Sequence, residues 1–260
     1  MKTIISFDLD MTLLDHGTWT IPDSALAALE QLRKNHIIAL ATGRDMDNYY
    51  SRPYADMVKP DAIIHMNGTK ITVGDRLIYE HYMDSQLLKD VMEYAELKGH
   101  SIGVTIGDDD YYIHPEKVVE HDMRRWNESG RNFKDPSSLM TLGVRTLAYI
   151  GDETGAREIE SQFPELKLLM FAGRCGADVV EKKASKAQGL IRLCEHFNIP
   201  LEHTFAFGDS MNDYEIVEQA GTGIAMGNAL PELKKAADYI TTAIDQDGVW
   251  NACRHFGLIE

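Results

Sequence analysis

The hydrophobic pattern changes period in blocks along the first eighty residues. "TIISF", "IIALAT" and "DAIIHM" are short, almost wholly apolar runs, as expected of strands buried on both faces. Between the first two, "PDSALAALEQLRKN" carries apolar residues at helical spacing, and a second helix is predicted from about Asp45. A hairpin follows in "TKITVGDRLIYE". Strand, helix, strand in this order predicts βαβ units and a parallel sheet. The C-terminal part repeats the pattern. It reads as helix "SKAQGLIRLCEHFN", strand "HTFAFG", helix "MNDYEIVEQA", strand "TGIAM", helix "PELKKAA", strand "DYIT" and a last helix after "DQDG".

From 83 to 184 the order differs. Helix "SQLLKDVMEYAELKG", hairpin "SIGVTIGDDDYYIH" and helix "EKVVEHDMRRWN" come first, then strand "VRTLAYIG", helix "TGAREIESQF" and hairpin "LKLLMFAGRCGADVVE". The chain is therefore expected to be of the α/β class. Residues 1–82 and 185–260 build one discontinuous parallel-sheet core, and residues 83–184 form an inserted α+β domain whose simplest role is a lid.

At 260 residues with 44% hydrophobic and 26% charged positions, the chain has the composition of a globular protein with a large core. The N-terminal apolar run is too short for a signal-peptide core, and no stretch has the length of a membrane span, so a cytoplasmic protein is expected. Cys175, Cys194 and Cys253 are widely spaced without a C-x-x-C pair, which predicts buried, reduced thiols. The formal charge of −15 argues against nucleic acid or an anionic membrane as partner. An anionic substrate then needs local positive charge. The oligomeric state is not legible.

Three predicted strands end in polar residues: Asp8 and Asp10 after "IISF", Thr42 and Gly43 after "IIALA", and Asp209 after "TFAFG". Ligands bind at the carboxyl ends of strands in open parallel sheets, so these groups can share one crevice. Alternation along a strand puts Asp8 and Asp10 on one face, about 6 to 7 Å apart, with Leu9 turned away. On that motif alone a solvated Asp-rich turn is the commoner reading. In "GDSMND", Ser210 as a helix cap puts Asp209, Asn212 and Asp213 around the helix start, although an ordinary acidic N-terminus has the same pattern.

Clustered carboxylates suit Mg²⁺, which takes oxygen ligands, keeps waters and bridges to phosphate. Several carboxylates also repel a phosphate dianion, by about 4 kcal/mol for each pair of unit charges about 4 Å apart. "KKASKAQGL" offers Lys182, Lys183 and Lys186 as balancing cations, against the ordinary reading of surface charges. "ATGR" puts the Thr42 hydroxyl and the Gly43 N–H at a predicted helix start, a phosphate cradle. The glycines of "GTGIAMG" precede a strand instead of opening a helix, which excludes a nicotinamide site. His114 and His121 read as an ordinary helix face.

In order, "DLDMT", "ATGR", "SK" and "GDSMND" resemble the four motifs of the haloacid dehalogenase-like phosphatase superfamily. "HMNGTKI" and "IAMGNALPELKKAADYIT" followed by "DQDGV" are similar to its Cof subfamily. The resemblance implies a Rossmann-like core with an inserted cap. It makes Asp8 the nucleophile and Asp10 the general acid and base. Mg²⁺ is held by the Asp8 side chain, the Asp10 backbone carbonyl and Asp209, with Asp213 orienting a metal-bound water. Phosphate is held by Thr42 and Lys186, assisted by Asn212 and the backbone at Leu9 and Gly43. Where the family has Gly, or sometimes Asp, this chain has Met11.

The expected activity is hydrolysis of small phosphorylated metabolites, such as sugar phosphates or flavin and pyridoxal phosphates, through an aspartyl phosphate. Asp10 is expected to start protonated, its pKa raised by burial and a neighbouring carboxylate. Arg124, Arg125, Trp126, Arg174 and Asp178 in the insert are candidates for substrate selection, each with a surface reading beside it. A sugar phosphomutase and a non-enzymatic phospho-acceptor domain are the alternatives.

Overall fold

The computed structural model describes residues 2–171 and 173–260. Residue 1, the start of the expected core, and Ala172, inside the last predicted hairpin, lie outside the described residues. The chain divides into two compact units. One comprises residues up to 46, 51–80 and 184–260, and the other residues 47–50 and 81–183.

The first unit starts with β1 (Ile4–Phe7), α1 (Asp23–Leu32), β2 (Ile37–Ala41), α2 (Arg52–Val58) and β3 (Ala62–His65), followed by the hairpin β4 (Lys70–Val73) and β5 (Arg76–Glu80). In the second unit the order is α3 (Ser85–Lys98), β6 (Ser101–Ile106), β7 (Asp109–Tyr112), α4 (Pro115–Trp126), β8 (Leu147–Ile150), α5 (Glu153–Gln162), β9 (Leu166–Met170) and β10 (Gly176–Glu181). The chain then returns to the first unit with α6 (Lys186–Phe197), β11 (Thr204–Gly208), α7 (Tyr214–Gln219), β12 (Thr222–Ala225), α8 (Pro231–Ala236), β13 (Tyr239–Ile240) and α9 (Gly248–His255).

Among the described residues the first unit holds one sheet in the order β13-β12-β11-β1-β2-β3-β4-β5, parallel except for the β4 and β5 edge. Each residue of β1 and β2 is buried, which explains why these strands read as unbroken apolar runs. Phe7 of β1 stacks on Phe207 of β11 with ring centroids 4.7 Å apart, locking the two central strands in register. The second unit has an antiparallel sheet in the order β7-β6-β8-β10-β9, with its own apolar core around Val91, Ile102, Ile159 and Val179.

Three local expectations are corrected, and one element was not expected. No helix starts at Asp45: residues 43–51 form turns and α2 begins at Arg52, beside its helix-favouring Pro53. The stretch 127–146 contains a short 3-10 turn at Pro136–Met140 that no periodicity announced. His114 is not on a helix face but caps α4 with a left-handed backbone, φ 53°. Cys194 and Cys253 are buried free thiols, whereas Cys175 is half-buried with its Sγ 3.3 Å from Nε2 of His121.

Candidate active site

The parallel register of β11, β1 and β2 pairs Phe207 with Phe7 and Phe7 with Leu40, so the residues that follow emerge side by side. The chain direction thus brings Asp209, Asp8 and Thr42 to adjacent strand ends. Asp8 continues the ladder for one bond, its N–H donating to the Phe207 carbonyl at 3.0 Å. Asp8 is 4% exposed, which corrects the reading of a solvated turn.

Lys186 opens α6, where Ser185 caps the helix by accepting from the Gln188 N–H. Its fully buried Nζ donates to Asp8 Oδ1 and Asp213 Oδ1, each at 2.6 Å. Asp213 sits in a 3-10 turn, Met211–Asp213, ahead of α7, and its other oxygen accepts from the N–H groups of Asp209 at 3.0 Å and Ser210 at 3.1 Å. Ser210 therefore caps that short turn and not a full helix. A Cβ on Gly208 would lie 2.4 Å from the Asp213 Cβ, so only glycine lets this aspartate come so close to β11.

Carboxylate oxygens of Asp8, Asp209 and Asp213 all lie within 4.8 Å of one another. Burial and the Asp213 charge push the Asp8 carboxyl up to about 8 in spite of Lys186. Asp209 is raised well above the ordinary range by burial and by the charge of Asp8. Burial alone lowers the Lys186 ammonium, but Asp213 and Asp8 outweigh it and raise it. One lysine thus faces three buried carboxylates. An all-oxygen donor set with surplus negative charge fits a hard divalent cation.

Asp10 points elsewhere. The strand ends at Phe7, and Asp10 lies in an isolated bridge with Leu14, so strand alternation no longer relates it to Asp8. Arg44 Nε donates to Asp10 Oδ2 at 2.8 Å and Arg44 Nη2 to Oδ1 at 2.5 Å, while His16 Nε2 lies 2.7 Å from Oδ1. Burial raises the Asp10 carboxyl, but the His16 hydrogen bond and the Arg44 charge prevail and hold it well below the usual carboxylate range. The expectation of a raised Asp10 pKa is overturned. Arg44 belongs to the quoted "ATGR" and His16 to "DLDMTLLDHG", so both were visible; only their contact with Asp10, across 34 and 6 residues, was not.

Thr42 is fully buried and its Oγ1 accepts from the Arg44 N–H at 3.1 Å. Thr42 and Gly43 therefore lie in a tight turn, not at a helix start. The Leu9 side chain enters the core while its carbonyl accepts from Leu13 and Leu14. Met11 takes φ 59°, a left-handed conformation that favours glycine, with its N–H bonded to Leu14 O at 2.8 Å and its carbonyl accepting from Asn228 Nδ2 at 2.8 Å. Asn212 Oδ1 accepts from Ser210 Oγ at 2.6 Å, and its Nδ2 donates to Asn67 Oδ1 at 3.3 Å.

The other candidates belong to the second unit. Lys183 pairs with Glu181, Arg124 with Glu120 and Arg174 with Glu153, and Arg125 lies over the Trp126 ring. Lys182 is exposed, and Asp178 lies within β10. Among the described residues no helix is long and apolar enough to cross a membrane.

Comparison with known proteins fits these strand-end motifs. The family model for haloacid dehalogenase-like hydrolases matches residues 5–253. The chain is 26% identical over 258 residues to the 5-amino-6-(5-phospho-D-ribitylamino)uracil phosphatase YitU of Bacillus subtilis (strain 168), covering 95% of this chain and 94% of YitU. It is 26% identical over 268 residues to the HMP-PP phosphatase of Klebsiella pneumoniae (strain 342), covering 98% and 92%. The solved structure of the subclass IIB sugar phosphatase BT4131 superposes with a TM-score of 0.89 at 29% identity, over 99% of this chain and all of that one. The chain belongs to the haloacid dehalogenase-like hydrolases and is a phosphatase of their Cof subfamily.

Proposed function

We propose that the protein is a Mg²⁺-dependent phosphomonoester hydrolase acting through a phosphorylated Asp8. The observation that carries this reading is the group of three buried carboxylates around Lys186 at the ends of β1 and β11. Asp8, Asp209 and the Asp10 backbone carbonyl are the residues that would hold Mg²⁺, with Asp213 in support. Bound there, the ion supplies positive charge to the transferring phosphoryl group.

In the first half of the reaction an Asp8 oxygen attacks phosphorus and the bond to the leaving oxygen breaks; Asp10, a carboxylate in the free site, takes up one proton from solvent as substrate binds and passes it to that oxygen. In the second half Asp10, as a carboxylate, takes a proton from the water that attacks the aspartyl phosphate. Inorganic phosphate leaves and Asp8 is restored. The carboxylate form of Asp10 held by Arg44 and His16 is the form this second half requires. Lys186 and Thr42, with Asn212 and the backbone at Leu9 and Gly43, are assigned to the phosphate oxygens.

The substrate class is a small phosphorylated metabolite, either a sugar phosphate or a phosphorylated cofactor or its precursor. The named activities of the relatives support that range. Residues 83–184 are assigned as the cap that selects among them, and residues 1–82 and 185–260 as the catalytic core. A screen of phosphorylated metabolites with Mg²⁺, with Asp8→Asn as control, tests the reading. Many turnovers of inorganic phosphate release, abolished in the variant, are expected. An isomerised sugar phosphate without release, or one lasting stoichiometric phosphorylation, contradicts it.

A further inference from the structure

Asp10 is held by more than Arg44. His16 reaches Oδ1 from a short loop that Asp15 braces. The Asp15 N–H bonds the Thr20 carbonyl at 3.0 Å, its own carbonyl accepts from the Trp19 N–H at 2.7 Å, and its side chain accepts from the Gly17 N–H at 2.8 Å. The loop adopts an uncommon backbone to do so, with Trp19 at φ 55°. That conformation stacks the Trp19 ring on His16, with centroids 4.6 Å apart and planes 17° from parallel. Trp19 stays 41% exposed, so its indole flanks the imidazole in place of joining the core.

The count of bonds on the carboxylate then becomes asymmetric. Each carboxylate oxygen has about two acceptor sites. Oδ1 uses both, for His16 Nε2 and Arg44 Nη2, whereas among the described residues Oδ2 accepts from Arg44 Nε alone. Without His16 the two oxygens would each carry one bond from the same guanidinium and be equivalent.

Resting on the phosphoryl-transfer reading above, we infer that His16, backed by Trp19, is a positioning residue for Asp10. It fills the acceptor sites of Oδ1 and so leaves Oδ2 as the oxygen that exchanges the proton with the leaving group and the attacking water. No motif of the family resemblance includes either residue.

The test compares two phosphate esters whose leaving groups differ in their need for a proton. A sugar phosphate leaves as a poor alkoxide and depends on Asp10, while 4-nitrophenyl phosphate leaves as a stable phenolate and depends on it little. His16→Leu is expected to lower kcat about tenfold on the sugar phosphate and less than about threefold on the aryl ester. His16→Gln, which keeps an N–H donor, is expected to recover most of the loss. In an Asp10→Asn background the His16 substitution is expected to add less than about twofold, since neighbours sharing one function are not additive. If His16→Leu does not fold, Trp19→Ala removes only a half-exposed ring and is expected to give a smaller loss with the same ester dependence.

Equal losses on both esters, or an undiminished effect in the Asp10→Asn background, overturn the inference while leaving phosphatase activity intact. The best alkyl phosphate of the metabolite screen takes the place of the sugar phosphate where that is not turned over, and failure of the unmodified protein to hydrolyse any ester of the screen overturns the proposed function, and this inference with it.

Discussion

Each unit of the protein buries a group of aspartates, and the two groups are balanced differently. In the second unit, Asp110 and Asp122 share Arg131. Arg131 Nε donates to Asp122 Oδ2 at 2.7 Å and Nη1 to Asp110 Oδ1 at 3.1 Å. Ser129, Thr105 and the Asn132 N–H occupy further oxygen sites. Although burial raises the Asp122 carboxyl, Arg131 prevails and lowers it. In the first unit, Asp8, Asp209 and Asp213 share one lysine, and Asp8 and Asp209 are raised. Asp122, with the Arg131 guanidinium on both its oxygens, is lowered, whereas the more deeply buried Asp8 and Asp209, which share one lysine, are raised, as expected of a group that would take a further cation.

The largest effect should come from breaking the completed network. Arg131→Met strips the guanidinium from two buried carboxylates, and chemical denaturation should show a loss of about 3–5 kcal/mol. A loss below about 1 kcal/mol would mean the network is not holding the unit together.

The cation site proposed for the first unit predicts a smaller, pH-dependent gain on adding Mg²⁺. Asp8 and Asp209 have folded-state pKa values raised above the ordinary 3.8, so their contribution to stability is full below that value. It is lost as pH rises, for Asp8 through about 8. A cation that binds the ionised carboxylates restores it, by about 2.7 kcal/mol at one hundred times its Kd. The rise in melting temperature with Mg²⁺ should therefore be larger at pH 8 than at pH 5. An equal or absent rise would count against a cation site. Asp122 has the opposite sign: its lowered pKa gives stability above the ordinary carboxylate range that is lost in acid, with or without Mg²⁺.

The smallest effect sharpens the comparison by testing backbone strain in place of charge. Met11→Gly relieves a left-handed residue, worth about 1–2 kcal/mol, but frees the unfolded chain by about 0.4–1 kcal/mol. Thermal unfolding should show a net change of about 1 kcal/mol or less. A destabilisation well above about 1 kcal/mol would mean that the packing of the half-buried Met11 side chain against the core outweighs the backbone strain.

Much of this was legible in the chain. "IISF", "IIALA" and "TFAFG" are unbroken apolar runs stopped by polar residues, and parallel pairing then sets Asp8, Thr42 and Asp209 side by side. The hairpins of the insert were equally plain from alternation. What stayed hidden are contacts between loops. Nothing in spacing tells that Arg44 and His16 converge on Asp10, and without them burial alone gave the wrong sign for its pKa. The helix expected from Asp45 failed for a similar reason. Thr42 Oγ1 takes the Arg44 N–H into a local turn, and the helix waits for Pro53. Asp213 read as an acidic helix start because its bond to Lys186 spans 27 residues.

The central claim is that Asp8 carries the phosphoryl group, and the most direct measurement is to trap it. The Asp10→Asn variant, mixed with a hydrolysable phosphomonoester and Mg²⁺ and quenched in acid, should retain one phosphate on the peptide that contains Asp8. Its fragmentation spectrum should localise the modification to that aspartate. A quenched, folded and Mg²⁺-loaded protein that forms product but carries no phosphate there, or carries it on another residue, would contradict the account.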